Sequence, residues 1–203
     1  MYFYRKLLKK KPRQNDSRSN ANPAREPGDA FNGDLSAMLG ELRHRFELTP
    51  DLIIRHLRIR GTGEEAAVAY LDGMTDKTTL NEHIIRPLLS ENPNDQRNFP
   101  FTYVTNVGRA SGWSQAETAI LQGDAVLLVD GRAEAYLLDT KGWPQRGIED
   151  PQVETSIKGA HQGFVETGMQ NVALIRRYIP HRQLKIKELS IGKRGNTKVW
   201  IVY

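Results

Sequence analysis

The sequence predicts a mixed α/β fold in which β-hairpins are flanked by helices. Three observations carry that expectation. DAVLLVD and AEAYLLD flank Asp130-Gly131, a turn pair that tolerates positive φ. Apolar residues recur at helical spacing in three other segments, and those segments are interleaved with paired β-rich runs. Interleaving of this kind argues for mixed sheets with helices packed on them, against a doubly wound parallel sheet.

Taken in order, the elements begin after a long polar stretch. From Lys9 to Gly33 only Ala21, Ala24, Ala30 and Phe31 are apolar, and Pro12, Pro23 and Pro27 interrupt any helix. Residues 1–33 therefore read as a basic disordered arm. Asp34 suits an N-cap for a helix in which Leu35, Met38, Leu39, Leu42 and Phe46 share a face, with Thr49-Pro50 ending it. Two β-rich runs, 52–59 and 66–71, surround Gly61-Thr62-Gly63. A helix is expected over about 76–90, with Leu80, Ile84 and Leu88 on one face, Thr79 and Glu82 at capping-box spacing, and Pro87 disturbing the last turn. Polar residues 91–98 read as a loop and 101–107 as a strand. Ser114 and Glu117 form a second capping box, opening a short helix that Gly123 closes. After the Asp130-Gly131 hairpin, residues 142–151 read as a Gly/Pro-rich connector. A helix near 167–179 should turn Met169, Val172, Ile175 and Ile179 inward, and a strand pair, 184–191 and 197–203, surrounds GKRGN. The last residues, KVWIVY, read as a strand cut short.

Composition removes several function classes. With no Cys there is no disulfide framework, thiolate metal site or cysteine nucleophile. The longest purely apolar run is the six residues 66–71, followed by 125–129 and 199–203, all far short of the roughly 20 residues that span a bilayer. The net charge of +5 belongs to the arm, where residues 1–30 hold eight basic and three acidic side chains; the remaining residues balance at 21 against 21. A basic groove on the folded body is thus not implied. Gly61-Thr62-Gly63-Glu64-Glu65-Ala66 matches a dinucleotide fingerprint in spacing, but AAVAYL is at least as strand-like as helical and two acids would face a phosphate. The five histidines show no metal-ligand spacing, and Asp124, Asp130 and Asp139 bracket strands and a turn where Asp is locally favoured. No catalytic, cofactor or metal site is expected. A nucleotide-binding enzyme built on the Gly61–Ala66 loop, and a nucleic-acid binder using the arm, stay open as alternatives.

A family resemblance rests on LQGDAVLLVDG (121–131), DTKGWPQRGIEDPQVE (139–154), KGAHQGF (158–164) and NVALIRRYI (171–179), preceded by AYLDGMTDK (69–77) and IIRPLL (84–89). In this order they resemble the A subunit of GerA-type spore germinant receptors over roughly residues 50–203. The resemblance implies a soluble N-terminal domain on the cytosolic side of the spore inner membrane, ahead of a multi-span membrane domain. It implies B and C subunits as partners, association of A subunits into a homo-oligomer, and a small nutrient, an amino acid or sugar, bound somewhere in the complex. No specific nucleic acid and no cofactor is implied. It also implies two α/β subdomains, and a junction in the connector divides the chain into 34–145 and 146–203 after the arm. Trp143, Arg146, Glu149 and Glu154 are then candidate ligand or junction contacts, with a core plug and a solvated charge cluster as the plainer readings. Arg176 and Arg177 are candidate subunit or lipid contacts, or simply complement the helix dipole. The chain departs from the family's R-G-P-R-E-G-F at Lys158, Ala160, His161 and Gln162, which puts an ion pair at that loop in doubt. It departs from T-E-x-L-R-T-N at Val165, Gly168, Met169 and Gln170, and Gly168 should weaken its helix by about 1 kcal/mol relative to Ala.

Overall fold

The computed structural model describes residues 28–90, 99, 102–142 and 163–203. Its strands are β1 Leu52–Arg58, β2 Glu65–Leu71, β3 Val107–Ala110, β4 Ala125–Val129, β5 Ala135–Leu138, β6 Ile186–Ile191 and β7 Thr197–Val202. Its helices are α1 Leu35–Arg45, a π-helix Thr79–Ile85 that runs into α2 Arg86–Ser90, α3 Trp113–Leu121 and α4 Gly168–Tyr178. Five strands form an antiparallel sheet in the order β1-β2-β4-β5-β3, while β6 and β7 pair separately.

The middle of the large sheet is buried on both sides, which is why AVLLV of β4 lacks polar alternation. Side chains still alternate between faces with period two. Ala67, Ala69, Val126 and Leu128 meet α1 and α3 through Met38, Leu42, Trp113 and Ile120. Ala66, Val68, Leu127 and Val129 meet Leu80, Ile84 and Leu88 on the other side. The result is a three-layer arrangement of helix, sheet and helix.

α1 follows its expected stripe, and the Asp34 carboxylate accepts the Ala37 N–H at 3.0 Å. It stops at Arg45, before Thr49-Pro50, because Phe46 turns into the core and Leu48 takes φ 56°. The helix expected over 76–90 is widened. Pro87 has no N–H to give to His83, and its ring would crowd that carbonyl in an α-helix. In the widened turn the Arg86 N–H reaches the Asn81 carbonyl, and the His83 carbonyl accepts the Tyr103 N–H at 2.8 Å instead. The cap here is Asp76, which accepts the Thr78 and Thr79 N–H groups at 3.1 Å. Glu82 pairs with Arg86 at 2.8 Å and closes no capping box.

The strand expected over 101–107 is displaced to β3, where the edge of β5 supplies pairing partners from Leu138 to Ala135. Tertiary pairing overrides the weak β propensity of VGRA. α3 is capped from outside its own segment. The Asp29 carbonyl accepts the Trp113 N–H at 2.7 Å and its carboxylate the Ser114 N–H at 2.8 Å, while Glu117 turns to arginines. Phe31 is buried with its ring 4.6 Å from that of Trp113, and the Gly33 carbonyl accepts the Gly131 N–H at 2.8 Å. Residues 29–33, expected in the arm, are therefore packed against the body.

Gly123 ends α3 as expected. With φ 94° it donates to the Ile120 carbonyl while Asp124 donates to Ala119, a Schellman pair, and a Cβ there would lie 2.7 Å from the Met74 carbonyl. The Asp130-Gly131 hairpin forms with a longer loop, its last pair being Leu128 and Ala135. Asp130 is used elsewhere: its carboxylate accepts the Leu35 N–H at 3.1 Å and its N–H donates to the Glu65 carbonyl. In α4 the buried residues are Val172, Ala173 and Arg176, whereas Ile179, expected inside, is exposed.

Candidate functional site at the seam of the two units

α4 and the β6–β7 hairpin form a small unit that docks on one margin of the layered unit. Its anchor is Arg176, whose guanidinium grips Asp51 with two hydrogen bonds, Nε to Oδ2 and Nη2 to Oδ1 at 2.9 Å. Both side chains are fully buried. Asp51 is fixed by the turn into β1, where its carbonyl accepts the Asp72 N–H at 2.8 Å. Beside the pair, Ala173 sits over Gly73, which has φ 81° and room for no side chain: a Cβ would come 2.9 Å from that of Ala173. Glu117 joins both units, accepting from Arg45 at 2.6 Å and from Arg182 at 3.2 Å. Backbone contacts complete the seam, with Ile186 N–H on the Leu48 carbonyl at 3.0 Å and Lys185 Nζ on the Glu47 carbonyl at 2.6 Å.

An open cleft of about 660 Å³ lies along this seam, lined by apolar Phe46, Leu52 and Ile54 and by charged Arg43, Lys187 and Glu188. It offers both signs of charge beside an apolar wall. No group of three His, Asp or Glu among the described residues is placed to hold a metal ion.

At the end of the large sheet the sequence blocks quoted above come together. Thr75 and Thr140 hydroxyls both donate to the Gly123 carbonyl, at 3.1 and 3.2 Å, and Thr140 Oγ1 accepts the Ala125 N–H at 2.8 Å. Gly142 N–H donates to the Met74 carbonyl at 3.2 Å as the chain leaves toward the connector. Asp124 lies here, 3.2 Å from Lys141. Burial pushes its carboxyl above the ordinary range despite that lysine, and its Oδ1 has no donor among the described residues. Asp76 shifts the other way, held below the ordinary range chiefly by the Thr79 hydroxyl.

Trp143, Arg146, Glu149 and Glu154 lie outside the described residues, as does the segment 158–162. The two arginines of α4 part company: Arg176 points into the protein and is used in the seam, whereas Arg177 is exposed. Asp51, Gly73, Glu117 and Arg182 are seam residues that sequence reasoning missed. Asp51 in TPDLII reads as a turn residue, and only the buried arginine gives it a further role. Gly168, expected to be a defect, is required by Trp200, whose ring fills the place of the missing side chain. The Gly61–Ala66 loop is a hairpin turn with no helix after it, and Glu64 spends its carboxylate on Arg132 at 3.0 Å. The structure thus corrects the dinucleotide alternative.

Residues 40–203 match the family model described as Bacillus/Clostridium GerA spore germination protein. The chain belongs to the GerA family. Among its GerA relatives, spore germination protein KA of Bacillus subtilis (strain 168) is 28% identical over 182 residues, covering 83% of this chain and 32% of that protein. Spore germination protein GerLA of Bacillus cereus is 29% identical over 177 residues, covering 84% of this chain and 36% of that one. The chain therefore spans about a third of these relatives. The solved N-terminal domain of the A subunit of the Bacillus megaterium spore germinant receptor GerK3 superposes with a TM-score of 0.65 at 21% identity, over 88% of this chain and 67% of that one. The mixed α/β expectation holds, and the fold of this GerA chain is that of the solved domain.

Proposed function

We propose that this GerA-family chain is the N-terminal domain of the A subunit of a nutrient germinant receptor, and that it transmits a ligand-linked change without catalysing a reaction. The family match over residues 40–203 is the observation that carries the reading. In this reading the domain lies on the cytosolic side of the spore inner membrane and works with B and C subunits, further A subunits and a small nutrient, an amino acid or sugar. Trp143, Arg146, Glu149 and Glu154 serve as contacts at the junction between subdomains.

The seam supplies a physical means of transmission. A buried ion pair is strongly unfavourable when one partner is withdrawn, so intermediate separations are poorly populated. The two units then behave as a two-position element, which a nutrient biases only to the extent that it binds one position better. The absence from the sequence of a paired nucleophile and base supports a role without turnover.

The test is genetic. Spores lacking the gene should lose the response to at least one amino acid or sugar, measured as the fall in optical density on germination. Restoring the gene with Trp143→Ala should leave the protein present at normal abundance and the response slow. Unchanged germination across the panel in the deletion strain would remove the receptor reading.

A further inference from the structure

Two residues, Asn32 and Gly33, join the buried Phe31 to the cap of α1 at Asp34. Asn32 is exposed, and its side-chain Oδ1 accepts the Asp34 N–H at 3.1 Å. That hydrogen bond closes an Asx turn, a ring that contains both the Asn32 amide carbon Cγ and the Gly33 nitrogen and folds the one back toward the other. Gly33 has φ 83°, carries no side chain to shield its nitrogen, and its N–H meets no acceptor among the described residues. An intramolecular acyl transfer needs this set of features: a nucleophile beside a carbonyl carbon, an N–H already placed on the oxygen that must take up negative charge, and solvent at hand.

We propose that Asn32-Gly33 is a self-modification site, at which the chain converts its own side-chain amide to an aspartyl or isoaspartyl link with water as the co-reactant. The Gly33 N–H gives its proton to solvent base, and the nitrogen lone pair attacks Cγ of Asn32. A C–N bond forms while the carbonyl π pair moves onto Oδ1, where the Asp34 N–H stabilises it. When that pair returns, the bond from Cγ to Nδ2 breaks, and the amide nitrogen takes up a proton and leaves as ammonia. Water opens the five-membered imide that results. Cleavage of its bond from Cγ to nitrogen restores the ordinary main chain, with an aspartate at position 32. Cleavage of the bond from the main-chain carbonyl to nitrogen leaves the chain running through Cβ and Cγ, one methylene longer.

The added length gives this chemistry its consequence. Phe31 is held by Trp113, with ring centroids 4.6 Å apart, and the Gly33 carbonyl by the Gly131 N–H at 2.8 Å. The backbone from Gly131 to Ala133 runs 3.6 Å from where a Gly33 Cβ would stand, so the link has no slack on that side. An extra methylene between two anchored residues pulls one of them out of place, and isoaspartate formation therefore loosens residues 29–33, the root of the basic arm. Aspartate formation keeps the length and adds only a charge. The inference stands on this turn and does not require the receptor reading.

Tryptic mapping of the 203-residue chain after incubation at mildly alkaline pH tests it, because the peptide 26–43 contains Asn32 as its only side-chain amide. Asn32 should gain the mass of an amide-to-acid exchange at least about tenfold faster than Asn106 and Asn196, which are also exposed but precede β-branched residues that crowd the attacking nitrogen. The rate should rise with pH, since the Gly33 proton must leave first, and should be no slower in the folded chain than in urea. Part of the product should accept methyl groups from an isoaspartate methyltransferase. That fraction should melt several degrees below fresh chain, whereas Asn32→Asp should melt like it. Asn32→Gln, whose amide would have to close a six-membered ring, should stay unconverted and keep its melting temperature through the same incubation. The proposal is overturned if Asn32 converts only in urea, if Asn106 or Asn196 converts as fast, or if the isoaspartyl fraction melts with fresh chain.

Discussion

At Gly168 two local effects oppose each other, and their sizes decide the outcome. Alanine would recover about 1 kcal/mol of helix propensity, but its Cβ would overlap the Trp200 ring that joins α4 to β7. Overpacking of this kind costs about 1–3 kcal/mol. Gly168→Ala is therefore expected to lower the melting temperature by a few degrees, and calorimetry showing a rise would mean that Trp200 can move aside at no cost. Asp124 supplies a second measurement. Because burial raises its folded pKa, the unfolded carboxyl ionises first as pH rises, so its ionisation opposes folding through and above that window. Asp124→Asn should raise the urea midpoint at neutral pH and leave it unchanged in acid below both values. Asp76 has the opposite sign, since its lowered pKa gives stability above the ordinary carboxylate range that is lost as pH falls through the folded value.

Between elements the decisive contact is Asp51 with Arg176. Arg176→Met should destabilise by about 3–5 kcal/mol, because it leaves a carboxylate buried and unpaired. Adding Asp51→Leu should recover most of that loss, since an apolar pair of similar volume replaces the charges without desolvating anything. Urea denaturation of the single and double variants checks both statements, and a double variant no better than the single would show that the pair is not the anchor of the seam. This contact also marks the limit of what the sequence makes legible. α1, the hairpins and the Gly123 stop are all readable, because each is set by neighbours within a few residues. The helical period of α4 is readable as well, but its phase is not. An apolar stripe places Ile179 inside and Arg176 beside the stripe, whereas Asp51, 125 positions away, draws the arginine in. Capping boxes fail for the same reason. Ser114 with Glu117 satisfies the local rule, yet Asp29 arrives from far upstream and Glu117 is taken by Arg45 and Arg182. Pro87 signals a disturbance, but the widened turn also depends on Tyr103 reaching the His83 carbonyl. Of the candidate site, Arg176 is singled out by sequence and its partner is not.

For the molecule as a whole, the boundary between arm and body is the testable quantity. Deleting residues 1–27 should leave the melting temperature nearly unchanged, because the described packing starts with Asp29. Deleting residues 1–33 removes the buried Phe31, worth about 1.5–3 kcal/mol, and the Asp29 cap, worth about 1 kcal/mol. For a body of this size that loss corresponds to roughly 5–15 °C, and equal melting of the two truncations would return residues 28–33 to the arm. The Asp29 contact has a consequence for synthesis. Its carboxylate waits for an N–H 85 positions later in the chain. At about 5–20 residues per second, a nascent chain holds Asp29 and Phe31 for roughly 4–17 s before Ser114 is even made. During that interval the apolar face of α1 has neither α3 nor β4 to cover it. Vectorial folding of this domain is thus gated by the arrival of its middle segment, and Asp29 and Phe31, made long before it, are among the last to find their places.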